Sequence, residues 1–353
     1  MLRLYYPAFI CIEPMRYAFL LLFLVPFWAA CDTASDDGTG PGSSGDERPT
    51  LFPVERNDLW GYIDNAGGIV IQPEYYSARP FYGDFGPVRG RRNNQNFWGY
   101  ITRDGEIAFD LPVDEAFPFS GGVARVRAGG RYGYVNTEGR YVINPVFGQA
   151  GDFKGGVARV QMNGHYGFID RSGAFVIEPD YDEVENFADG RALFRDDDDD
   201  KYGYLDRDGA VAIEPQFDQA RSFADGRAAV KVGDRWGYID TDGRFAIDPR
   251  FISAGDFGDG RAPVRTENLW EYVNERGERV IAPAFDDARA FSEGRAAVRT
   301  EGRWGFIDEA GNVLRGPDFD EVDAFEGGVA RVWVGELMGY IGTGGQYVWI
   351  PAQ

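Results

Sequence analysis

Residues 236–240 read Trp-Gly-Tyr-Ile-Asp, and this pentad decides the fold because it recurs along the chain. Recognisable copies begin at nine positions, which are Trp60, Trp98, Tyr132, Tyr166, Tyr202, Trp236, Trp270, Trp304 and Met338. Consecutive copies are 34 residues apart, except for one interval of 38 and one of 36. A fixed period in this range is typical of a repeat protein in which each unit is one supersecondary element.

Each unit is predicted to be a three-stranded antiparallel meander. The unit around Trp236 has, in order, an extended run at 227–232, a turn at 233–234, the pentad strand at 235–240, a turn at 241–243 and a third strand at 244–247. Pro249 ends the ladder because proline has no backbone N–H to donate. We expect the following stretch, Phe251 to Phe257, to be an irregular crossover with aromatic ends anchored in the core. A fourth short strand is the alternative.

Strand alternation predicts a structural role for each pentad position. The first, third and fifth residues point to one side and the second and fourth to the other, so the strand is covered on both faces. Gly237 is expected to make room for a large side chain, such as a crossover phenylalanine. Asp240, three residues before Gly243, is expected to cap a turn and not to bind calcium. The signature residues with such structural roles are Trp60, Gly61, Trp98, Gly99, Trp236, Gly237, Trp270, Trp304 and Gly305.

A basic residue follows the first-strand valine in most units. With a two-residue turn at 233–234, Lys231 lies opposite Trp236, and the same spacing pairs Arg265 with Trp270. We interpret these positions as cross-strand cation–π pairs, worth roughly 0.5–1 kcal/mol when exposed. An anion-binding column is the alternative interpretation.

Three features break the repeat and mark the candidate functional positions. Two insertions, in 89–96 and in 196–200, lengthen the same hairpin of two different units, so both tips should project from one side. Glu271 replaces the pentad glycine, which indicates either looser packing or an opening. Solvated loop tips are one interpretation of the insertions, and contact with a partner is the other. The candidate partner-contact residues are Arg89, Arg91, Arg92, Asp196, Asp198, Asp200 and Glu271.

The repeated pentad resembles the WG-repeat family of bacterial proteins, which is named for the Trp-Gly pair. The resemblance covers residues 51–353 and departs from the family pattern at Glu271 and where Trp is replaced, at Tyr132, Tyr166, Tyr202 and Met338. Membership would imply a β-rich repeat scaffold and would not imply a catalytic activity.

The stacking of the units has two solutions, an open spiral and a closed ring. A propeller often closes by sharing one blade between the two chain ends. Here Val54 precedes Trp60 by the same distance as Val230 precedes Trp236, so the first unit is already complete. We therefore predict an all-β open solenoid, or superhelix, of about nine meanders. A propeller-like ring is the alternative.

The N-terminal segment is predicted to direct export. Residues 17–30 form an apolar run shorter than the roughly 20 residues of a membrane-spanning helix and end in small residues, as in a signal peptide. Ala29-Ala30-Cys31 resembles the lipobox of bacterial lipoproteins, in which the cysteine becomes the lipidated N-terminus. We therefore expect a signal peptide at 1–30, with Met15 as the true start, and lipid attachment at Cys31. Plain secretion is the alternative. Residues 31–50 are expected to be a flexible linker and 51–353 the repeat array.

Composition excludes several function classes. The formal net charge of -21 repels phosphate backbones, so nucleic acid is not an expected partner. Both cysteines, Cys11 and Cys31, precede the repeats, and His165 is the single histidine. The array therefore lacks the residues for a thiolate or multi-histidine metal site, and we expect no cofactor.

We therefore predict a non-catalytic scaffold of the bacterial cell envelope. It would be held by its lipid anchor on the periplasmic or surface face and would bind a protein or a polysaccharide, since repeat arrays present extended surfaces. A glycan-active enzyme with paired carboxylates is one alternative. A passive spacer lipoprotein is the other.

Overall fold

Residues 50–196 and 198–350 are described by the computed structural model, and β-strands are the only regular elements within them. The predicted signal peptide, Cys31 and all of the predicted linker except Thr50 lie outside the described residues. The strands form nine separate antiparallel sheets, each built around one copy of the pentad. We call these sheets blades 1 to 9 in chain order.

The first five blades have the following strands. Blade 1 contains β1 (Phe52–Arg56), β2 (Leu59–Ile63) and β3 (Ile69–Tyr75). Blade 2 contains β4 (Ser77–Ala78), β5 (Gly86–Arg92), β6 (Gln95–Ile101) and β7 (Ile107–Leu111). Blade 3 contains β8 (Glu115–Ser120), β9 (Val123–Ala128), β10 (Arg131–Asn136) and β11 (Tyr141–Phe147). Blade 4 contains β12 (Gln149–Ala150), β13 (Val157–Met162), β14 (His165–Asp170) and β15 (Phe175–Tyr181), and blade 5 contains β16 (Ala192–Arg195), β17 (Tyr202–Leu205) and β18 (Val211–Phe217).

The last four blades complete the order. Blade 6 contains β19 (Gln219–Ala220), β20 (Arg227–Val232), β21 (Arg235–Asp240) and β22 (Phe245–Phe251). Blade 7 contains β23 (Ser253–Ala254), β24 (Arg261–Arg265), β25 (Trp270–Asn274) and β26 (Arg279–Phe285). Blade 8 contains β27 (Asp287–Ser292), β28 (Arg295–Thr300), β29 (Arg303–Asp308) and β30 (Val313–Phe319). Blade 9 contains β31 (Glu321–Val322), β32 (Val329–Val334), β33 (Leu337–Gly342) and β34 (Tyr347–Trp349).

The predicted meander is confirmed, and so is its register. In blade 6, β21 pairs antiparallel with both β20 and β22, and Lys231 lies opposite Trp236. The turn after the pentad is capped as expected, because Asp240 Oδ1 accepts the backbone N–H groups of Asp242 and Arg244 at 3.0 and 2.9 Å. Gly243 supplies the left-handed conformation of that turn, with φ of 81°.

The crossover forms a fourth short strand, which was the alternative prediction. β23 pairs antiparallel with β24, so the crossover belongs to the blade that follows it. Its aromatic ends are buried as predicted, with Phe251 2% and Phe257 3% exposed. In blade 5 this strand is reduced to a single bridge between Val184 and Phe194. Blade 1 has three strands and no crossover partner among the described residues.

The pentad glycine makes room for backbone, so the prediction of space for an aromatic side chain is wrong. Trp236 lies opposite Phe251 while Tyr238 lies opposite Ile247, and the resulting bulge presses β22 onto Gly237. A Cβ atom on Gly237 would lie 2.5 Å from the Ile247 carbonyl oxygen and 2.7 Å from the Pro249 nitrogen. The same close backbone approach occurs at Gly61, Gly133, Gly167, Gly203 and Gly305.

The blades close into a ring, a nine-bladed β-propeller. Val54 of blade 1 shares a buried cluster with Val329 and Tyr340 of blade 9, and the Tyr340 hydroxyl donates to the Pro53 carbonyl at 2.9 Å. The ring is the alternative that the sequence left open, and the favoured open superhelix is not found. Closure here needs no shared blade, because two whole sheets meet through side-chain packing.

The third pentad residue links each blade to the next. The Tyr238 hydroxyl donates to the Gly255 carbonyl of blade 7 at 2.9 Å, and the Tyr238 ring meets Phe257 edge-on with centroids 4.8 Å apart. The same hydrogen bond, spanning 17 residues, is made by Tyr62, Tyr100, Tyr134, Tyr204 and Tyr272. Phe168 and Phe306 occupy this position in blades 4 and 8.

Replacing Gly237 with alanine should destabilise the fold by about 1–3 kcal/mol, because the added methyl group meets backbone that cannot rotate away. Gly316→Ala is the matched control, since a Cβ atom there meets nothing within 4 Å. It should change stability by less than about 0.5 kcal/mol. Urea unfolding of both variants measures the difference, and equal stabilities would contradict the close approach.

Alkaline pH should unfold the ring by ionising the buried tyrosines. Burial raises the pKa of Tyr62, Tyr204, Tyr238 and Tyr272 well above the usual range, so the folded state favours their neutral forms. Their stabilising contribution is complete below about pH 10 and is lost as pH rises further, since the unfolded chain releases these protons first.

The free energy of unfolding, measured in urea between pH 9 and 11, should therefore fall steeply above about pH 10. Tyr238→Phe removes one such group and should make the decline shallower by up to about 1.4 kcal/mol per pH unit. A profile that stays flat to pH 11 would contradict the buried state of these side chains.

Candidate functional site

The junction between blade 9 and blade 1 differs from the other junctions and holds a pocket. We call it the junction pocket, and it is a cavity of about 90 Å³ that opens to solvent. Its walls are apolar, with charged side chains at the rim. Lining side chains include Phe52, Phe81, Asp323, Val329, Arg331 and Tyr340.

At each of the other eight junctions, a crossover phenylalanine occupies the space beside the pentad aromatic. Ring centroids are 4.8 Å apart for Tyr204 and Phe223 and 4.9 Å for Tyr272 and Phe291. In every case an alanine or valine stands three residues before the phenylalanine. The eight crossover segments, Ala/Val-x-x-Phe, are 78–81, 116–119, 150–153, 184–187, 220–223, 254–257, 288–291 and 322–325.

Blade 1 lacks this segment, and the junction pocket is the consequence. The sequence positions equivalent to 220–223 are 44–47, which read Ser-Gly-Asp-Glu and lie outside the described residues. Phe52 takes part of the space instead, with its ring 5.7 Å from that of Tyr340. Because no crossover phenylalanine lies between them in the described chain, the apolar walls of the pocket remain partly uncovered.

The hydrogen bond of Tyr340 is also displaced. In blade 6 the Ala229 carbonyl accepts the backbone N–H of crossover residue Arg221, at 2.9 Å. Pro53 holds the position of Ala229 in blade 1, and its carbonyl accepts the Tyr340 hydroxyl instead. Burial raises the pKa of Tyr340, which keeps the hydroxyl a neutral donor.

At several junctions an arginine ties the crossover to the blade before it. Arg125 Nη1 donates to the Ala150 carbonyl at 2.8 Å and its Nε to Asp152 Oδ1 at 3.1 Å. Arg159, at the same position in blade 4, donates to the Val184 carbonyl at 2.5 Å. Arg331 holds this position in blade 9, where it pairs with Asp323 of its own blade at 2.6 Å. Arg331 therefore contacts the crossover of its own blade, at Asp323, and no crossover of a following blade among the described residues.

The two long hairpins project from different blades. Arg89, Arg91 and Arg92 belong to the hairpin of β5 and β6, all three are exposed, and Arg92 pairs with Asp110. The hairpin of β16 and β17 carries Asp196, which is half-buried, and the exposed Asp198 and Asp200.

The acidic tip, residues 196–200 of the β16–β17 hairpin, is held by a hydrogen bond and an ion pair within the same hairpin. Asp196 Oδ1 accepts the N–H of Asp198 at 3.0 Å, and Arg195 pairs with Asp200 at 2.9 Å. The structure does not bring the basic and acidic tips into contact through these bonds, since each is satisfied within its own blade. Asp197 lies outside the described residues.

Glu271 lies inside blade 7 and is only 2% exposed, so its side chain is not available to a partner. Its Oε1 accepts the Thr266 hydroxyl at 3.1 Å, and Oε2 lies 2.5 Å from Arg279 Nε in an ion pair. The interpretation of Glu271 as an opening is therefore wrong. The carboxylate is retained because a cation and a hydroxyl reach it.

The signature tryptophans pack into the blades. Trp98 and Trp304 are buried, and Trp60, Trp236 and Trp270 are half-buried. Arg265 lies 6.0 Å from the Trp270 ring, as the hairpin register predicted. The cation over Trp304 comes instead from the crossover, since Arg289 lies 4.3 Å from that ring. These tryptophans thus form no exposed aromatic row.

No group of His, Cys, Asp and Glu within residues 50–196 and 198–350 is arranged to hold a metal ion. His165, the single histidine, pairs with Asp182 at 2.7 Å on the surface. In the same part of the chain, no helix has the length and apolarity needed to cross a membrane.

Sequence reasoning missed Tyr340, Arg331 and Phe52 as site residues. The spacing of the aromatic crossover residues was recognised, but the small apolar residue three positions before each phenylalanine was not. Aligning all nine units on the first-strand valine, which is Phe194 in the fifth unit, would have shown that only the first unit lacks Ala/Val-x-x-Phe.

Comparisons with known proteins agree with the repeat and the ring. A family model described as "WG containing repeat" matches eight segments that together cover more than half of the chain: 60–89, 98–132, 132–165, 166–198, 202–236, 236–270, 272–304 and 304–336. No curated protein sequence matches the chain.

Three solved structures illustrate the fold similarity. A crystal structure of the eukaryotic initiation factor is 12% identical with a TM-score of 0.60, over 86% of this chain and 95% of that chain. Kluyveromyces lactis Hsv2 is 9% identical with a TM-score of 0.39, over 70% of this chain and 88% of that one. Streptogramin B lyase is 11% identical with a TM-score of 0.31, over 80% and 93%. Only the first superposes well enough to support an argument, and it supports the fold alone.

Arg279→Ala should destabilise blade 7 by about 1–3 kcal/mol, because the buried Glu271 carboxylate loses its cation. Glu271→Gly restores the glycine of the other units, and Arg279→Ala in that background should cost less than about 0.5 kcal/mol. Urea unfolding of the two single variants and the double variant measures the coupling. Additive effects would show that the ion pair contributes nothing.

Proposed function

The chain belongs to the WG-repeat family, and from that premise we propose that it is a non-catalytic scaffold of the bacterial cell envelope that binds a protein partner. The observation that carries this proposal is the junction pocket. It is the point at which an otherwise regular ring leaves an apolar recess and a strand edge without a partner among the described residues. A recess with apolar walls and a few convergent polar groups is typical of a binding site.

A protein partner fits these features better than a polysaccharide. Flat sugar faces stack on exposed aromatic rings, whereas the signature tryptophans here are buried or half-buried in their blades. The strand edge of β1 offers backbone hydrogen-bonding groups, which suit an extended polypeptide. Polysaccharide binding remains the second outcome that the experiments distinguish.

A scaffold role is favoured over catalysis by the partners of the acidic side chains. Asp240 and Asp308 cap turns, and Glu271 is paired with Arg279. Burial raises the pKa of Asp256, but Arg221 lies 3.8 Å away and opposes that shift. These carboxylates therefore hold structural positions in or between blades.

The proposed location in the cell envelope is inferred from Cys31 and the lipobox-like residues that precede it. A lipid on Cys31 followed by a Gly/Ser-rich linker would hold the ring near the membrane surface and leave it free to turn. The face of the envelope, periplasmic or surface, is part of the test below.

Changing Cys31 to serine should move the protein from the membrane fraction to the soluble fraction, because the lipid attachment site is lost. Cys11→Ser is the matched control, since Cys11 precedes the proposed cleavage site, and it should leave partition unchanged. Detergent phase partition of cell extracts measures the effect, and protease treatment of intact cells reports the face. Membrane retention of Cys31→Ser would contradict the anchor.

Binding is tested with the ring itself. The lipid-anchored protein, cross-linked in cells and purified, should carry one envelope protein in saturable amounts, and glycan arrays probed with the same protein should show no specific spot. Turnover of a glycan substrate, or specific glycan binding without a protein partner, would overturn the proposal.

A further inference from the structure

Within the residues that the structure describes, blade 1 has no crossover segment, and the other eight blades show how such a segment is held. We propose that the junction pocket accepts an extended peptide from a partner protein as the missing strand of blade 1, and that it recognises Ala/Val-x-x-Phe with an acidic residue between the two apolar positions. This inference rests on the proposed protein-binding function and names the class of partner segment.

The edge of β1 is available for pairing in the part of the chain that the structure describes. In blade 6, Gln219 and Ala220 of the crossover lie opposite Lys231 and Val230. Glu55 and Val54 hold those two positions in blade 1. A peptide that paired in the same way would place its alanine or valine opposite Val54, and its backbone would extend the sheet by one strand.

The apolar recess fits the phenylalanine of such a peptide. The crossover phenylalanine of each following blade lies against the aromatic third pentad residue, as Phe257 lies against Tyr238. At the junction pocket Tyr340 supplies that aromatic surface, with Val329 and Phe81 beside it. A phenylalanine three residues beyond the small residue would reach this surface, because the eight internal crossovers all use that spacing.

Tyr340 is placed to change its acceptor when the peptide binds. Its hydroxyl now donates to the Pro53 carbonyl, which is the acceptor that a crossover N–H uses in the other blades. The bound peptide would donate its own N–H to Pro53 and offer its own carbonyl to Tyr340. The hydrogen bond that Tyr340 gives up at the junction would therefore be replaced.

Arg331 explains the preference for an acidic residue. Its counterpart Arg125 holds the segment Ala150-Gly151-Asp152-Phe153 through the Ala150 carbonyl and the Asp152 carboxylate. Arg331 could make the same two contacts with a peptide after releasing Asp323. A side chain without charge would leave Arg331 with its present partner and give no gain.

The chain's own linker does not match the site. Residues 36–49 contain no aromatic and no aliphatic side chain apart from proline, and Glu47 stands where the phenylalanine is required. Asp46 stands where the proposed peptide has its acidic residue, but Ser44 and Glu47 replace both apolar positions, and Asp323 and Glu326 of the pocket would repel Glu47. In a second copy of the chain, the phenylalanines of all eight Ala/Val-x-x-Phe segments are already buried in their own blades. The occupant is therefore a segment of another protein.

A labelled peptide with the sequence of residues 147–154, Phe-Gly-Gln-Ala-Gly-Asp-Phe-Lys, tests the proposal by fluorescence anisotropy with the full-length protein. Binding should be saturable with one site per chain. Replacing the second phenylalanine of the peptide with alanine should weaken binding at least about tenfold, because that side chain fills the recess. Replacing the aspartate with asparagine should also weaken it.

Arg331→Gln should remove the preference for aspartate over asparagine in the peptide. Arg159→Gln is the matched control, since that arginine holds a crossover of its own chain, and it should leave the preference intact. Far-ultraviolet circular dichroism and urea midpoints of both variants establish that each remains folded.

The inference is overturned if the wild-type protein does not bind the peptide, if the alanine peptide binds equally well, or if Arg159→Gln acts like Arg331→Gln. It is also overturned if binding appears only after residues 36–49 are deleted, because the linker would then occupy the site. A partner captured in cells that the peptide does not displace would leave the scaffold function standing and refute this site alone.

Discussion

A buried tyrosine hydroxyl that donates to a carbonyl of the next blade is the contact on which this ring depends. The pentad strand holds the tyrosine at the centre of its sheet, and the acceptor lies on the crossover that begins the following sheet. The bond joins neighbouring sheets at seven of the nine junctions, and at the other two Phe168 and Phe306 make the ring contact without it. The phenylalanine that packs on the same tyrosine supplies the apolar area that a hydrogen bond alone cannot.

The same contact gives the last junction its special character. The ring closes through Tyr340, but the crossover that should receive its hydroxyl does not occur in the described chain. The regular repeat is therefore interrupted at this junction. Here the Pro53 carbonyl accepts the Tyr340 hydroxyl, and Arg331 pairs with Asp323 of its own blade. Repeat proteins commonly need special ends, and in a closed ring the two ends meet at one site.

The sequence predicted the local structure well because the same spacing and turn residues recur in each unit. The three-stranded meander, the register of Lys231 opposite Trp236 and the Asp240 turn cap all follow from spacing and turn chemistry within about 20 residues. The role of Gly237 was not predictable in this way, since it depends on a bulge that brings backbone of β22 onto it.

Closure and the junction pocket were harder to predict because they also depend on contacts that lie outside a single unit. Whether units form a ring depends on small rotations between sheets, which no single unit encodes, and the expectation of a shared blade favoured an open array. The partner of Glu271 could not be predicted either, because Arg279 reaches it from the neighbouring strand β26. The signal for the pocket was present as the missing Ala/Val-x-x-Phe of the first unit, but its meaning depends on knowing that the ends meet.

The most direct measurement of this closure is the distance between the hairpin tips of blades 1 and 9. Spin labels on Asn57→Cys and Glu336→Cys, in a chain with Cys11 and Cys31 changed to serine, would be compared with labels on Glu301→Cys and Glu336→Cys, which mark the adjacent blades 8 and 9. A closed ring requires the two distance distributions to overlap, because residues of the blade 1 and blade 9 tips line one shared recess. A blade 1 to blade 9 distance several times that of the control would show an open array and contradict the ring.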